Sequence, residues 1–375
     1  MNVLQLGKFY PIKGGVEQVM YSLCSGISNH GISCDMLCTS YNGATVEKQI
    51  GDHSKLKGTS TWLKLAATTI SPTLITQLRK DCAKYDIIHV HHPDPMAAFA
   101  LRFSGYKGKV ILHWHSDIVK QKYLLKLYKP FQDWLIKRAD LIVGTSPIYV
   151  QESPFLKNVQ NKIACLPIGS DFNNHPADPK AVEFLRAMYP GKKIIFSMGR
   201  LVGYKGYEYL IEAATHLSDE YVILIGGEGP LRDKLTQQIK DAGLTGKVEL
   251  LGYLSDEDRY LYFAACDLFC LSSIQKTEAF AIVQIEAMAC GKPIVATNIQ
   301  GSGVPWVNEH GVSGINVTPC NSIELAEAIQ EICAIETTYE RYSKGAKERF
   351  QNFFTQEKMI ESCLNLYYSV LNGKK

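Results

Sequence analysis

Ten short apolar runs, separated by amphipathic stretches, constrain this chain more than any other feature. Five of them, NVLQLG, SCDMLC, YDIIHVHH, KVILHWH and ADLIVGTS, lie in the first half. The turn-rich LPIGSDFNNHPADPK interrupts the pattern, which restarts with KKIIFSMG, YVILIGG, KVELLG, CDLFCLSS and KPIVATN. Such runs read as buried strands, and strands spaced by helices imply parallel sheets of the doubly wound kind. A chain of 375 residues is too long for one ordinary core and suits two. The expected architecture is α/β, with Rossmann-like domains over residues 1–172 and 173–354. A C-terminal helix within 355–375 is expected to return to the first domain.

No window reaches the ~18 uninterrupted apolar residues of a membrane span. The opening MNVLQLGKFYP has neither a basic leader nor a small-residue cleavage site, so it reads as a first strand of a cytoplasmic protein. Eleven cysteines, an odd number without a C-x-x-C pair, read as reduced small hydrophobes, and neither a disulfide framework nor a zinc site is expected. The formal charge of +3 conceals an asymmetry. Residues 1–166 hold 20 Lys+Arg against 11 Asp+Glu, a net of +9, and residues 167–375 hold 20 against 26, a net of −6. The two halves face different partners.

Doubly wound sheets bind ligands at the carboxyl ends of their strands, where loops feed helix N-termini. In KFYPIKGGVEQ, Gly14 and Gly15 precede a helix whose N–H groups could approach an anion, or form a turn chosen for its backbone angles alone. The stretch is not G-x-G-x-x-G, and no acidic residue follows a second strand to hold a ribose, which disfavours a nicotinamide or flavin enzyme. In FSMGRLVGYKGYEY, Arg200 and Lys205 follow a strand in a glycine-rich turn, where a diphosphate would meet two cations and helix N–H groups together.

TEAFAIVQIEAMACGKP places Glu278 ahead of an apolar helix over Ala281 to Cys290 and Glu286 within it. Gly291 and Pro293 supply the stop. The N–H groups of Phe280, Ala281, Ile282 and Val283 form the expected unsatisfied first turn. A buried carboxylate needs a polar partner. Sugar and ribose hydroxyls would serve, as would a helix N-terminus for Glu278 and a neighbouring lysine for Glu286. The D-x-D of Asp256 and Asp258 follows Ser255 and opens an amphipathic run, so it reads as a helix start rather than a metal site.

Together these segments resemble the group 1, family 4 retaining glycosyltransferases. The resemblance rests on G-R-x-x-x-x-K-G from Gly199 to Gly206, GEGPL at 227–231 and E-A-F-A-I-V-Q-I-E at 278–286. The GG pair at 14–15, HWHSD at 113–117, PIGSD at 167–171 and HGVSGINV at 310–317 extend it over nearly the whole chain. It implies the GT-B fold, two Rossmann-like domains facing a cleft that holds a UDP- or GDP-sugar. By similarity Arg200 and Lys205 hold the diphosphate, Glu278 contacts the donor sugar and Glu286 the ribose. Tyr253 and Leu254 flank the base, Gly15 lies against the phosphates or sugar, and His115 reaches the reacting sugar. His113 reads as structural, and Asp117 either orients His115 or caps the next helix. Front-face attack, with the departing phosphate taking the acceptor's proton, is the implied chemistry; no metal and no cofactor beyond the co-substrate is expected.

The basic half returns in SDIVKQKYLLKLYKPFQDWLIKRAD, where Lys120, Lys122, Lys126, Lys129, Lys137 and Arg138 alternate with Tyr123, Leu124, Leu127, Tyr128, Phe131 and Trp134. This pattern suits an anionic membrane surface or a lipid-pyrophosphate acceptor, or a packed helix with a solvated lysine face. Nucleic acid is disfavoured, since no RNA or DNA module is visible. The expected activity is sugar transfer to a lipid-linked saccharide in surface polysaccharide or O-antigen assembly, at the inner face of the cell membrane. A soluble acceptor and a catalytically inactive sugar-nucleotide-binding protein are the alternatives.

Overall fold

The structure, a computed structural model, describes residues 1–12, 14–41, 43–65, 68–118 and 122–373. The chain divides into two compact units, Met1–Gly169 with Gln356–Lys375, and Ser170–Thr355.

Strands of the N-terminal unit are β1 (Asn2–Tyr10), β2 (Ser33–Ser40), β3 (Val46–Gly51), β4 (Ser54–Thr59), β5 (Leu63–Leu65), β6 (Thr68–Ile70), β7 (Ile87–His92), β8 (Lys109–Trp114), β9 (Leu141–Gly144) and β10 (Ile163–Cys165). Its main sheet runs in the order β10, β9, β8, β7, β1, β2, β4, β3, with β5 and β6 forming a separate ribbon. Only β3 is antiparallel within the main sheet. The order reverses between β1 and β7, which creates a topological switch point at their carboxyl ends. All six residues of β7, IIHVHH, are buried, as a central strand covered on both faces requires.

Register decides which polar side chains meet on this sheet. Gln5 pairs with His89 across the ladder, and His91 pairs with His113. Partners across a ladder share a face, and so do alternate residues of one strand. Gln5, His89, His91 and His113 therefore lie on one face, while His92 and Trp114 lie on the other. The helix Gln356–Leu371 reaches the first of these faces through Tyr367, which is fully buried against it.

The second unit contains β11 (Lys193–Met198), β12 (Tyr221–Gly226), β13 (Val248–Gly252), β14 (Leu268–Leu271), β15 (Ile294–Thr297) and β16 (Gly314–Val317). Its sheet is wholly parallel, in the order β13, β12, β11, β14, β15, β16. The switch point here lies between β11 and β14. Ile195, Ile223, Ile225 and Leu268 anchor a core closed by Leu210, Ile211 and Ile329 from helices. Both units thus present loops at the carboxyl ends of their first and fourth parallel strands.

Candidate functional site

In the second unit the loop after β11 and the loop after β14 meet through one buried ion pair. Lys205 Nζ lies 2.6 Å from Glu278 Oε2, and Ser273 Oγ donates to the same oxygen at 2.8 Å. Gly199 permits this approach, because a Cβ there would stand 2.9 Å from Lys205 Cε. Gly206 adopts φ +63°, and a Cβ at that position would stand only 2.2 Å from the Ser272 carbonyl oxygen. Burial opposes the Lys205 charge, but the adjacent Glu278 carboxylate outweighs it and holds the ammonium above its ordinary pKa. Arg200, in the same loop, is exposed.

A second ion pair lies one helix away. Ser255 caps the helix Asp256–Ala265 in a reciprocal box with Asp258, so the D-x-D is helix-start chemistry. Asp256 pairs with Arg259 at 2.6 Å, and Arg259 Nη2 also donates to Glu286 Oε1. Glu286 Oε2 is buried and has no hydrogen-bond partner among the described residues. Burial pushes this carboxyl above its ordinary pKa despite the opposing pull of Arg259.

The helix carrying Glu286 is Ile282–Ala289, shorter at its start than the sequence suggests. Ala281 is its N-cap, with φ +61° in the left-handed region and no side-chain cap. Holding a non-glycine residue there costs on the order of 1–2 kcal/mol. Phe280 and Ala281 precede the helix instead of forming its first turn, and the first helical N–H groups belong to Ile282 and Val283. Tyr253 is 77% exposed after β13, whereas Leu254 is buried.

The N-terminal unit builds its site chiefly from buried imidazoles. His115, just past β8, shares a 2.9 Å hydrogen bond between its Nε2 and His91 Nδ1. His91 Nε2 lies 2.7 Å from Gln5 Oε1. Gln5 Nε2 donates to the Tyr367 hydroxyl at 2.9 Å and to Cys34 Sγ at 3.5 Å, and that hydroxyl lies 2.7 Å from His89 Nδ1. His113 stacks on His115 with ring centroids 3.9 Å apart and has no hydrogen-bond partner among the described residues. Desolvation is the main cause of the lowered pKa of all four histidines on this face, and it brings His113 down to about 3. His89, His91 and His113 offer ligand atoms within 4.8 Å of one another, the set that could draw together around a metal ion.

Beside them, Lys8 adopts φ +62°, donates its backbone N–H to Asp94 and its ammonium to the Pro93 carbonyl. Asp94 also caps the helix Pro95–Ser104. Asp117 accepts from Trp114 Nε1 at 2.9 Å and from Ser153 Oγ at 2.7 Å. Gly14 is the N-cap of the helix Gly15–Asn29. The Glu17 carboxylate folds back over it, 2.1 Å from where a Cβ would stand, so an anion arriving there would meet a carboxylate as well as N–H groups.

On the helix Lys122–Arg138, Lys126, Lys129 and Lys137 are exposed, Leu127 is 75% exposed, and Tyr128, Leu135 and Ile136 are buried. Lys129 pairs with Asp133 at 2.6 Å. Lys120 and the side chains of Lys122, Tyr123 and Leu124 lie outside the described residues.

Comparison with known proteins decides the family. Residues 184–349 match the model of glycosyl transferases group 1, and residues 13–172 match that of glycosyltransferase family 4. The chain is 33% identical to the O-antigen chain mannosyltransferase C of Escherichia coli over 376 residues, covering 100% of both. This protein belongs to the group 1, family 4 glycosyltransferases. The D-rhamnosyltransferase WbpZ of Pseudomonas aeruginosa is 29% identical, over 95% of this chain and 92% of its own. A crystal structure of Anabaena Alr3699/HepE in complex with UDP aligns with a TM-score of 0.80 at 22% identity, covering 98% of this chain and 100% of that one. The glycosyltransferase therefore has the GT-B fold expected from its motifs. Among its described residues no helix is long and apolar enough to cross a membrane.

Sequence reasoning missed Gln5, His89, His91, Tyr367 and Arg259. The spacing of Arg259 three residues after Asp256 is a signal for an intrahelical pair, and the two H-x-H patterns place their histidines on one strand face each. Nothing in the sequence reveals that these faces adjoin.

Proposed function

We propose that this glycosyltransferase moves a sugar, with retention, from a nucleoside-diphosphate sugar to a lipid-linked saccharide during assembly of a surface polysaccharide. The observation that carries the donor reading is Glu286, a buried carboxylate with one oxygen on Arg259 and the other without a partner among the described residues. A ribose hydroxyl would satisfy that oxygen. Ile282 and Val283 offer uncapped N–H groups to a phosphate. Glu278 takes one of the three ammonium protons of Lys205, which leaves donors for a diphosphate, and exposed Arg200 supplies a second cation.

As the anomeric C–O bond to the diphosphate breaks, negative charge collects on the leaving oxygens, where preorganised cations act most strongly. The acceptor oxygen bonds to the same face of the anomeric carbon, and its proton passes to the departing phosphate. His115 contacts the reacting sugar. No metal is required when Arg200 and Lys205 carry the charge. The acceptor reading is supported by relatives named for O-antigen mannosyl and D-rhamnosyl transfer. A basic and apolar surface also favours it, formed by Lys126, Leu127 and Lys129 with Phe99 and Phe103 on the adjacent helix. Such a surface suits anionic lipid at the inner face of the membrane.

The deciding experiment measures, by calorimetry, the affinities of UDP and GDP against their 2′- and 3′-deoxy counterparts. Loss of a hydrogen bond to a charged group should weaken binding roughly 10- to 100-fold for at least one deoxy form. Glu286→Gln should erase most of that difference. Equal affinities for ribo and deoxy forms would overturn the assignment.

A further inference from the structure

Of the four histidines on one sheet face, three, His89, His91 and His115, are joined through Gln5 and Tyr367 in one chain of hydrogen bonds. The Gln5 amide sets the direction of that chain. Its nitrogen faces the Tyr367 hydroxyl and Cys34 Sγ, which accept its two protons, so its oxygen faces His91 Nε2 at 2.7 Å. An oxygen in that place can only accept, so the proton resides on His91 Nε2. A neutral imidazole with Nε2–H has a bare Nδ1, and the His91 Nδ1 must then accept from His115 Nε2 at 2.9 Å. His115 consequently carries its proton on Nε2 and presents Nδ1 as an acceptor.

We propose that Gln5, His91 and Tyr367 are positioning residues that lock His115 in the Nε2–H tautomer, so that its Nδ1 accepts a hydrogen bond from the reacting sugar. This deepens the proposed function and rests on its reading that His115 meets the sugar. Tyr367 acts through the amide. Without its hydroxyl the Gln5 side chain can turn over, reverse every bond in the chain and move the His115 proton to Nδ1. A metal ion on the same histidines competes with this arrangement. Both nitrogens of His91 are already engaged, and the ligand atoms extend to 4.8 Å apart, whereas nitrogens bound to zinc at ~2.0–2.1 Å in a tetrahedron lie roughly 3.4 Å apart.

The test reads the tautomer directly, by two-bond 15N–1H spectra of the histidine rings in the full chain. Wild type should show Nε2–H at His115, and Gln5→Glu, which keeps an acceptor for His91, should retain it. Gln5→Met and Tyr367→Phe should give mixed tautomers. Both should also lower kcat for hydrolysis across a panel of UDP- and GDP-hexoses by about tenfold, with KM nearly unchanged. An Nδ1–H signal at His115 in wild type overturns the proposal even if the variants fail to fold. So does an unchanged His115 tautomer in Gln5→Met, and so does stoichiometric zinc in the purified enzyme by mass spectrometry. His115→Ala separates the two levels. Full activity in that variant removes the sugar-contact reading, whereas lost activity with the wrong tautomer removes only the relay.

Discussion

The two switch points share a topology and oppose each other in electrostatics. At β11 and β14 the polar groups are charged and paired, Lys205 with Glu278 and Arg259 with Glu286. At β1, β7 and β8 they are chiefly imidazoles, buried and held neutral by desolvation. Net charge runs the other way, since the half rich in Lys and Arg holds the site dominated by neutral imidazoles, with Lys8 and Asp94 buried beside them. Its exposed cations lie on the helix Lys122–Arg138 and elsewhere on the surface. The lesson is that sequence charge balance reports the solvated faces, while the site's charge is set by which groups the sheet register removes from water.

Acid should separate the units most. His89, His91, His92, His113 and His115 are buried with lowered pKa values, so the folded state resists protonation that the unfolded chain accepts below about 6.5. Their stabilisation is complete above pH 6.5 and is lost as pH falls towards the folded values, about 3 for His113. Between pH 6.5 and 5.5 each histidine that stays neutral in the folded state should cost up to about 1 kcal/mol. Asp94 in the first unit and Glu286 in the second both have raised pKa values from burial and shift stability in the opposite sense, while His175, His216 and His310 of the second unit are exposed. Hydrogen exchange followed by mass spectrometry should show the N-terminal unit losing protection first. Equal loss in both units would break the comparison.

Next in size is Lys205→Met. This lysine is buried in an ion pair, so its loss costs folding as well as turnover. Stranding the Glu278 carboxylate should destabilise the second unit by about 3–5 kcal/mol. Turnover should fall roughly 30- to 1,000-fold with it. Adding Glu278→Gln should recover stability in urea titration without recovering activity. Arg200→Ala, at an exposed position, should lower turnover with stability changed by no more than ~0.5 kcal/mol. A Lys205 variant as stable as wild type would show that the pair is not the anchor described.

A smaller effect is expected from Asp258→Asn, which weakens a helix cap by about 1 kcal/mol and should leave transfer in EDTA intact. Strict manganese dependence abolished by that substitution would place a metal in the charged unit. Smallest is Lys126→Gln, which should reduce sedimentation with anionic vesicles by up to roughly fivefold at low salt and less at high salt. Unchanged sedimentation would leave that lysine as an ordinary solvated side chain and favour a soluble acceptor.

All ten apolar runs form strands, because parallel strands covered by helices are buried along most of their length. The β3 and β4 hairpin, VEKQIG and SKLKGT, was illegible because the edge strand β3 and its neighbour β4 are rich in polar residues and carry no apolar run. The charged site was largely legible, since GRLVGYKG and EAFAIVQIE each keep their functional groups within a few residues. Arg259 and the Lys205–Glu278 pairing were not, for they depend on how separate loops pack. The histidine site was least legible. Gln5 and Tyr367 are 362 positions apart, and only folding brings them together.

The return of Gln356–Leu371 to the N-terminal unit has a consequence for biosynthesis. Residues 170–355 form a continuous unit that can close once they have left the ribosome. The unit translated first must wait, with Gln5 and His89 uncovered, until residue 367 emerges. Order of synthesis and order of completion are therefore inverted, and a chain ending at residue 355 would carry every residue of the second unit and an N-terminal sheet still lacking the helix that brings Tyr367 to its polar face.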